Sequence, residues 1–280
     1  MNRRRLTPGS VLATLSKHGF LIFLSVLMIY PLYYMVITSL KTRQEWLGNQ
    51  FGLPQLPTLA NYVQVFAEGK LPMWFRNSMT VTAGSVFLAT AVATLAAYAI
   101  SRFRFRGRLL FLNTMIALMV VPPSVLIVPL FILLVRIDLI NTLPGLMFIY
   151  VGLMIPFSIF LLVSFFRGLP TELFDAAAID GCSNFGVLWR IVIPLSAPAF
   201  ITLLVVNALY VWNELLLALV FLQGEELKTL MPGLLMFKGH FFNNEAMVMT
   251  AAFLACLPMI MLYLFGQRWF VEGMVAGAVK

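Results

Sequence analysis

The sequence predicts an all-α, polytopic integral membrane bundle of six spanning helices, and three observations carry that prediction. The first is composition: 61% of the residues are hydrophobic and only 11% are charged, too little polar surface to cover a water-soluble globule of this length. The second is the length of the apolar runs. Several uncharged stretches reach the ~20 residues that a helix needs to cross a ~30 Å hydrocarbon core. The third is where the cations fall. With the N-terminus inside, Arg3, Arg4, Arg5, Lys17, Arg102, Arg104, Arg106, Arg108, Arg167, Arg190, Arg268 and Lys280 lie on the cytoplasmic side, 12 of the 19 Lys and Arg residues, following the positive-inside rule. The net charge of +8 is therefore mainly topological. A basic face for nucleic acid would need a folded soluble surface, and none is visible.

Taken in order, a basic tail over 1–19 leads into the first span, Phe20 to Leu40. This run is longer than a signal-peptide core and has no small-residue cleavage site after it, so it reads as an uncleaved anchor. Pro31 should bend it without ending it, because neighbouring helices can satisfy the freed backbone groups. The external segment from Lys41 to Asn77 carries Trp46, Phe51, Tyr62, Trp74 and Phe75, most of which read as an interfacial aromatic belt. The second span, Ser78 to Ser101, is thick with Ala, Gly, Ser and Thr and reads as an internal packing helix. Arg102 to Arg106 then alternates charge and ring, which beside a span reads as a cytoplasmic anchor in the headgroup region.

The third span, Leu109 to Val135, contains Pro122 and Pro123, a pair that should break or sharply kink it. Non-helical backbone at that depth survives only where protein or water lines it, so these prolines mark either a wall of a translocation path or a kink inside helix packing. The fourth span is Leu143 to Phe166. The fifth, Ala197 to Leu222, holds Asn207, Asn213 and Glu214, with Asn207 and Glu214 on one helical face. A carboxylate at that depth should face protein or water, lining a path or making an interhelical hydrogen bond. The external segment from Gln223 to Glu245 carries Lys238, His240, Asn243 and Asn244, and the sixth span, Ala246 to Gly266, leads to a tail over 267–280. Cys182 sits in a polar loop and Cys256 in the last span, so no disulfide is expected.

The most informative stretch is the polar interruption from Thr171 to Pro198. Thr171 is placed as an N-cap, with Glu172 and Asp175 in the first turn, where carboxylates suit the helix dipole. Ala176, Ala177 and Ala178 supply helix propensity without bulk, and Gly181 stands where a left-handed C-cap would end the helix. A second short helix should start after Ser183, carry Phe185, Leu188, Trp189 and Val192, and stop by Pro194. Small and acidic, the first helix makes a poor lipid-surface face and a better insert for a protein groove.

The spacing of Asp175, Ala176, Ala177, Gly181, Ile191 and Pro194 resembles the EAA loop of the membrane subunits of bacterial ATP-binding-cassette importers. The likeness extends to sugar permeases of the maltose-transporter kind in Asn77-Ser78, in Ala96 to Gly107, in Pro170, in Ile179 to Gly181, in Trp212-Asn213-Glu214 and in the C-terminal tail. Asp175 stands where the family usually has Glu, with Glu172 one turn earlier as a substitute.

The resemblance implies a type I importer fold: a single permease domain over 20–266 with the coupling loop at 167–196, multi-pass in a bacterial or archaeal inner membrane, both termini cytoplasmic. It implies ATPase coupling through Glu172, Asp175, Ala176, Ala177, Asp180, Gly181 and Pro194. It implies a second permease subunit in a heterodimer, two ATPase subunits that bind ATP and Mg, an extracytoplasmic solute-binding protein met by Lys238, His240, Asn243 and Asn244, and a sugar, oligosaccharide or polyol as cargo. No cofactor or metal on this chain is expected, since His240 has no neighbouring His or Cys, and no GxxxxGK[ST], HExxH or GxSxG motif supports catalysis. The rival readings are an ion- or proton-coupled secondary transporter, for which Glu214 is the only clear ionisable group in a span, and an intramembrane enzyme, which lacks a nucleophile and base.

Overall fold

A computed structural model describes residues 8–68, 70–240 and 244–278. Among them the elements are helical: α1 (Pro8–Ser39), α2 (Arg43–Gly48), α3 (Ala60–Glu68), α4 (Leu71–Arg102), α5 (Arg108–Leu118), α6 (Ile127–Arg136), α7 (Leu143–Gly168), α8 (Glu172–Ile179), α9 (Asn184–Leu195), α10 (Ala197–Asn213), α11 (Leu216–Phe221), α12 (Leu230–His240) and α13 (Glu245–Ala278). Four stretches are long and apolar enough to cross a membrane unbroken: Thr14–Ser39, Leu71–Arg102, Leu143–Gly168 and Glu245–Gln267. Two bent pairs raise the number to six. α5 meets Pro123–Arg136 at 97°, and α9 meets α10 at 77°.

The first bend falls at Pro122 and Pro123, as the sequence predicts. The second bend falls at Ser196, before α10. A further break corrects the sequence reading, because α10 ends at Asn213 and does not run on to Leu222. Glu214 leaves the helical conformation and its carboxylate accepts from Leu217 N at 2.8 Å and Ala218 N at 3.0 Å. It thereby caps α11, and a new helix starts where a continuous one was expected. Pro31, Pro156 and Pro258 each lie inside an unbroken helix.

The described residues divide into two compact units, one drawn from 1–69 and 237–255, the other from 70–236 and 256–280. In the first, Asn61 donates to the carbonyls of Ser39 and Lys41, both at 2.8 Å, and so ties α3 to the end of α1. Lys41 is fully covered, and its ammonium donates to Asn49 O at 2.8 Å and Gln50 O at 3.2 Å.

The second unit is organised on α4 and α7. Ala89, Ala93 and Ala97 recur every fourth residue and are fully buried, so they make a smooth ridge on which a neighbouring helix can lie close. Two apolar clusters sit along this axis. Toward the C-terminal end of α4, Ala97 and Ile100 pack with Leu162 and Phe166 of α7, Ala177 of α8 and Leu188 of α9. Toward its N-terminal end, Val81 and Val86 join Ile149 and Tyr150 of α7, Val211 of α10 and Phe221 of α11.

Trp74 departs from the expected aromatic belt. It is 3% exposed, its indole N–H donates to Glu225 O at 3.1 Å, and Phe75 meets Trp212 edge-on at 5.5 Å. A buried Trp needs an acceptor for its N–H, and the segment 225–230 supplies it.

Candidate functional site

The polar interruption folds into two short helices with a glycine elbow. α8 ends in a Schellman motif: Cys182 N donates to Ala177 O at 2.9 Å and Gly181 N to Ala178 O at 3.1 Å, with Gly181 at φ +72°. This is the left-handed cap that the sequence predicts. At the other end the expectation fails in detail. Thr171 precedes α8, but its backbone is helical and its hydroxyl caps nothing among the described residues; its carbonyl instead accepts from Phe174 N and Asp175 N. α9 starts where expected, with the Ser183 hydroxyl accepting from Gly186 N at 3.1 Å. It does not stop by Pro194. Its middle widens into a π-helical segment, Leu188–Val192, and it continues to Leu195, so the backbone takes up the N–H missing at Pro194 inside the helix.

Spacing decides what α8 presents. Phe174 and Ala177 face inward, Ala177 only 4% exposed, while Glu172, Asp175, Ala176 and Ile179 form the exposed face at helical spacing. Ala177 thus lies on the inner face and anchors the helix to the protein. Ile179 is 87% exposed and was missed, although its offset from Asp175 and Ala176 puts it on the same face. Phe185 and Trp189, both exposed, pair edge-on at 6.0 Å on α9. Asp180, Gly181 and Pro194 are exposed as well. The surface is thus acidic, small and apolar, on a helix fixed from behind.

What fixes it from behind was not legible in the sequence. The Arg102 guanidinium, at the end of α4, lies over the Phe174 ring at 2.9 Å from its centroid, and Nη2 donates to Phe166 O at 3.2 Å. One side chain therefore joins the ends of α4 and α7 to α8. Trp74, Asn77 and Ser78, near the start of α4, bind the segment after α11 instead: Asn77 donates to Glu226 O at 2.8 Å and Lys228 O at 3.0 Å, and Ser78 accepts from Leu230 N at 2.7 Å. These two attachments lie about 40 Å apart along α4 at 1.5 Å per residue, roughly one bilayer thickness.

The predicted path residues separate. Pro123 and Asn207 line one cavity of about 260 Å³ together with Met119, Met154, Phe157 and Tyr210. Pro122 precedes it at the break. Asn207 also donates to Ser158 Oγ at 3.0 Å and so links α10 to α7. Glu214 and Asn213 do not line the cavity. Besides its two amides, the Glu214 carboxylate accepts from the Tyr150 hydroxyl at 2.7 Å, and Asn213 donates back to Leu209 O of its own helix.

In the segment from Gln223 to Glu245, Lys238 is exposed and Asn244 accepts from Met247 N at the start of α13. His240 ends α12, and Asn243 lies outside the described residues. The first part of this segment is pinned down: Asn141 Oδ1 accepts from Gln223 N at 2.9 Å and Gly224 N at 3.0 Å, and Lys228 is buried, donating to Leu222 O. No group of three or more His, Cys, Asp and Glu able to hold a metal occurs among the described residues.

The family model for the inner membrane component of binding-protein-dependent transport systems matches residues 89–275. The chain belongs to that family. It is 39% identical to a putative ABC transporter permease protein of Caldicellulosiruptor sp., over 95% of this chain and 98% of that one. It is 32% identical to the trehalose/maltose transport system permease protein MalG of Thermococcus litoralis, over 92% and 94%. It is 30% identical to the arabinooligosaccharides transport system permease protein AraQ of Halalkalibacterium halodurans, over 99% of each. Its fold matches a chain of a bacterial ABC transporter involved in the import of the polysaccharide alginate, with a TM-score of 0.83 at 22% identity, covering 95% of this chain and 99% of that one. This permease therefore has the importer fold expected from its EAA-like loop, and it is a membrane-spanning component of an ABC importer.

Proposed function

We propose that this permease subunit moves a sugar, oligosaccharide or polyol inward by alternating access, driven through α8 by partner ATPase subunits. The observation that carries the coupling is the two-sidedness of α8. Its inner face is held by Arg102 and the apolar cluster around Ala177, while Glu172, Asp175, Ala176 and Ile179 stand free on the outer face. A helix fixed from behind and bare in front can transmit displacement, because its own packing does not absorb the push. ATP and Mg belong to the two ATPase partners. Closure of that pair would draw α8 of this chain toward its counterpart on a second, non-identical permease subunit.

The cargo class rests on relatives named for trehalose/maltose, arabinooligosaccharides and melibiose/raffinose/stachyose. The cavity at the Pro123 bend, where Asn207 and Tyr210 supply polar groups among apolar walls, is the section of the path that this chain provides. Both termini are cytoplasmic, on the side of α8. The opposite side receives the binding protein, over 238–244.

The test is reconstitution with the neighbouring subunits and binding protein, scored by ligand-stimulated ATP hydrolysis across a carbohydrate panel and by transport per ATP. Asp175→Lys should lower co-purification of the ATPase or transport per ATP while leaving membrane insertion intact. Wild-type values for both would reduce α8 to a connector. A panel in which only non-carbohydrate ligands stimulate hydrolysis would overturn the cargo class.

A further inference from the structure

The connection between α4 and α5 carries an unclaimed charge. Arg104, Arg106 and Arg108 line, with Phe105, Gly107, Leu109 and Leu110, an open cavity of about 540 Å³. The backbone turns through Gly107 at φ +86°, a conformation natural to glycine, so two arginines precede the turn and one follows it. None of the three is ion-paired to a carboxylate among the described residues, where the ion pair present is Lys70 with Glu225. Nor does sequence supply a nearby one, since no Asp or Glu occurs between Glu68 and Asp138. Arg108 donates to Phe103 O at 3.3 Å, which uses one of the five N–H groups of a guanidinium. The cavity therefore concentrates cationic donors that the described residues leave without a counter-charge.

The apolar neighbours decide what kind of anion suits it. Phe105 is 47% exposed, Leu109 58% and Leu110 72%, and beyond them the uncovered flank of α5 continues with Ile116 and Leu118. A free phosphate would use the guanidiniums and gain nothing from these side chains. An amphiphile would use both: its headgroup against the arginines, its acyl chain along α5. The position agrees with a membrane surface, because Arg102, two residues before the cavity, marks the end of α4 at which α8 lies.

We propose that residues 104–110 form a binding site for the phosphodiester headgroup of an anionic phospholipid, with its acyl chain on the exposed face of α5. Arginine suits this ligand through paired N–H donors to phosphate oxygens. The site lies in the leaflet on the α8 side, so it would hold the α4 end, and with it Arg102, at a fixed depth in the membrane.

The experiment uses the full-length purified chain in a neutral detergent and counts retained lipid by native mass spectrometry after titration with phosphatidylglycerol or phosphatidylcholine. Each basic residue near an anionic surface contributes about fivefold to binding, so three predict roughly 100-fold preference for phosphatidylglycerol. That preference should collapse to within a few-fold in R104Q/R106Q/R108Q, and it should weaken in L109S/L110S, which keeps the charges. Equal retention of the two lipids by the wild-type chain overturns the proposal without relying on any variant. Competition by millimolar inorganic phosphate that removes phosphatidylglycerol, with L109S/L110S unchanged, overturns the lipid assignment in favour of a simple anion site. Full preference in the triple arginine variant, with its thermal unfolding unaltered, places the lipid elsewhere and also overturns it.

Discussion

Arg102→Gln should loosen α8 without unfolding the protein. The substitution removes a guanidinium stacked on Phe174 at 2.9 Å and a charged hydrogen bond to Phe166 O. A partly desolvated cation–π contact contributes about 1 to 2 kcal/mol, and a hydrogen bond from a charged donor about 1.5 to 3 kcal/mol. Against this, Arg102 Nε is buried and finds no acceptor among the described residues, a cost of about 1 to 3 kcal/mol that the substitution relieves. The difference is about 2 kcal/mol, or roughly 30-fold in an opening equilibrium. Because both contacts lie where the ends of α4 and α7 meet α8, the loss should appear as local opening there. Hydrogen exchange read by mass spectrometry should therefore show amides of 174–183 exchanging about 30-fold faster, with peptides from the middle of α4 and α7 unchanged. Phe174→Leu should give a smaller effect, and a double-mutant cycle between the two should return a coupling of about 1 kcal/mol. Unchanged exchange over 174–183 in Arg102→Gln, or equal acceleration across all three helices, would refute the assignment of Arg102 as the tie between the spans and α8.

The other predictions concern the cap, the break, topology and a buried lysine. Gly181→Val forces a β-branched residue to φ +72° where a Cβ would meet nothing within 4 Å, so the cost is backbone strain alone, about 1 to 2 kcal/mol, read as fraying of α8 by the same exchange experiment. Glu214→Ala leaves the Tyr150 hydroxyl and two amides without their acceptor and should cost about 3 kcal/mol in thermal unfolding, with Glu214→Gln costing about 1 because one acceptor remains; equal losses would contradict the capping role. An impermeant thiol reagent should label the exposed Cys182 only from the cytoplasmic side, whereas labelling from outside would reverse the topology. Burial holds the Lys41 ammonium below the usual lysine range, partly opposed by Glu45, so the unfolded state binds more protons as pH approaches 10. The stability of the wild type relative to Lys41→Met should then rise with pH up to the ordinary lysine value, and a constant difference from pH 7 to 10 would contradict it.

Sequence reading located what depends on local rules. The prolines at 122 and 123, the glycine cap at 181 and the helix start after Ser183 each follow from the backbone geometry of one or two residues, and each stands where expected. The acidic and small character of α8 was equally visible. What escaped were contacts between residues far apart in sequence. Arg102 reads as one more cytoplasmic cation until α7 and α8 are placed around it, 64 and 72 positions later. Trp74 reads as an interfacial ring until the segment at 225 supplies an acceptor. Ala177 differs from Ala176 by one position on a helix whose buried face no hydrophobic periodicity marks, because three consecutive alanines carry no pattern.

Glu214 shows why a polar residue in a span is a poor guide to a transport path. Each interruption of a helix in this chain strands backbone donors or acceptors, and in a membrane setting water cannot satisfy them. At several of these interruptions a side chain supplies the answer. Glu214 takes the amides of Leu217 and Ala218, and Asn141 those of Gln223 and Gly224. Asn77 covers the carbonyls of Glu226 and Lys228, Ser78 the amide of Leu230, and Arg102 the carbonyl of Phe166. These residues are committed to the backbone, and a carboxylate so engaged is a costly place to load a coupling ion, since the ion would compete with three existing hydrogen bonds. The ion-coupled alternative thus loses its one ionisable candidate on geometric grounds. On the proposed reading, the section of path left for a cargo is the bend at Pro123, where Asn207 and Tyr210 border a cavity among apolar side chains. A neutral, hydrogen-bonding solute matches that lining better than an ion does, and on the proposed coupling the energy for its movement comes from outside the spans, at the free face of α8.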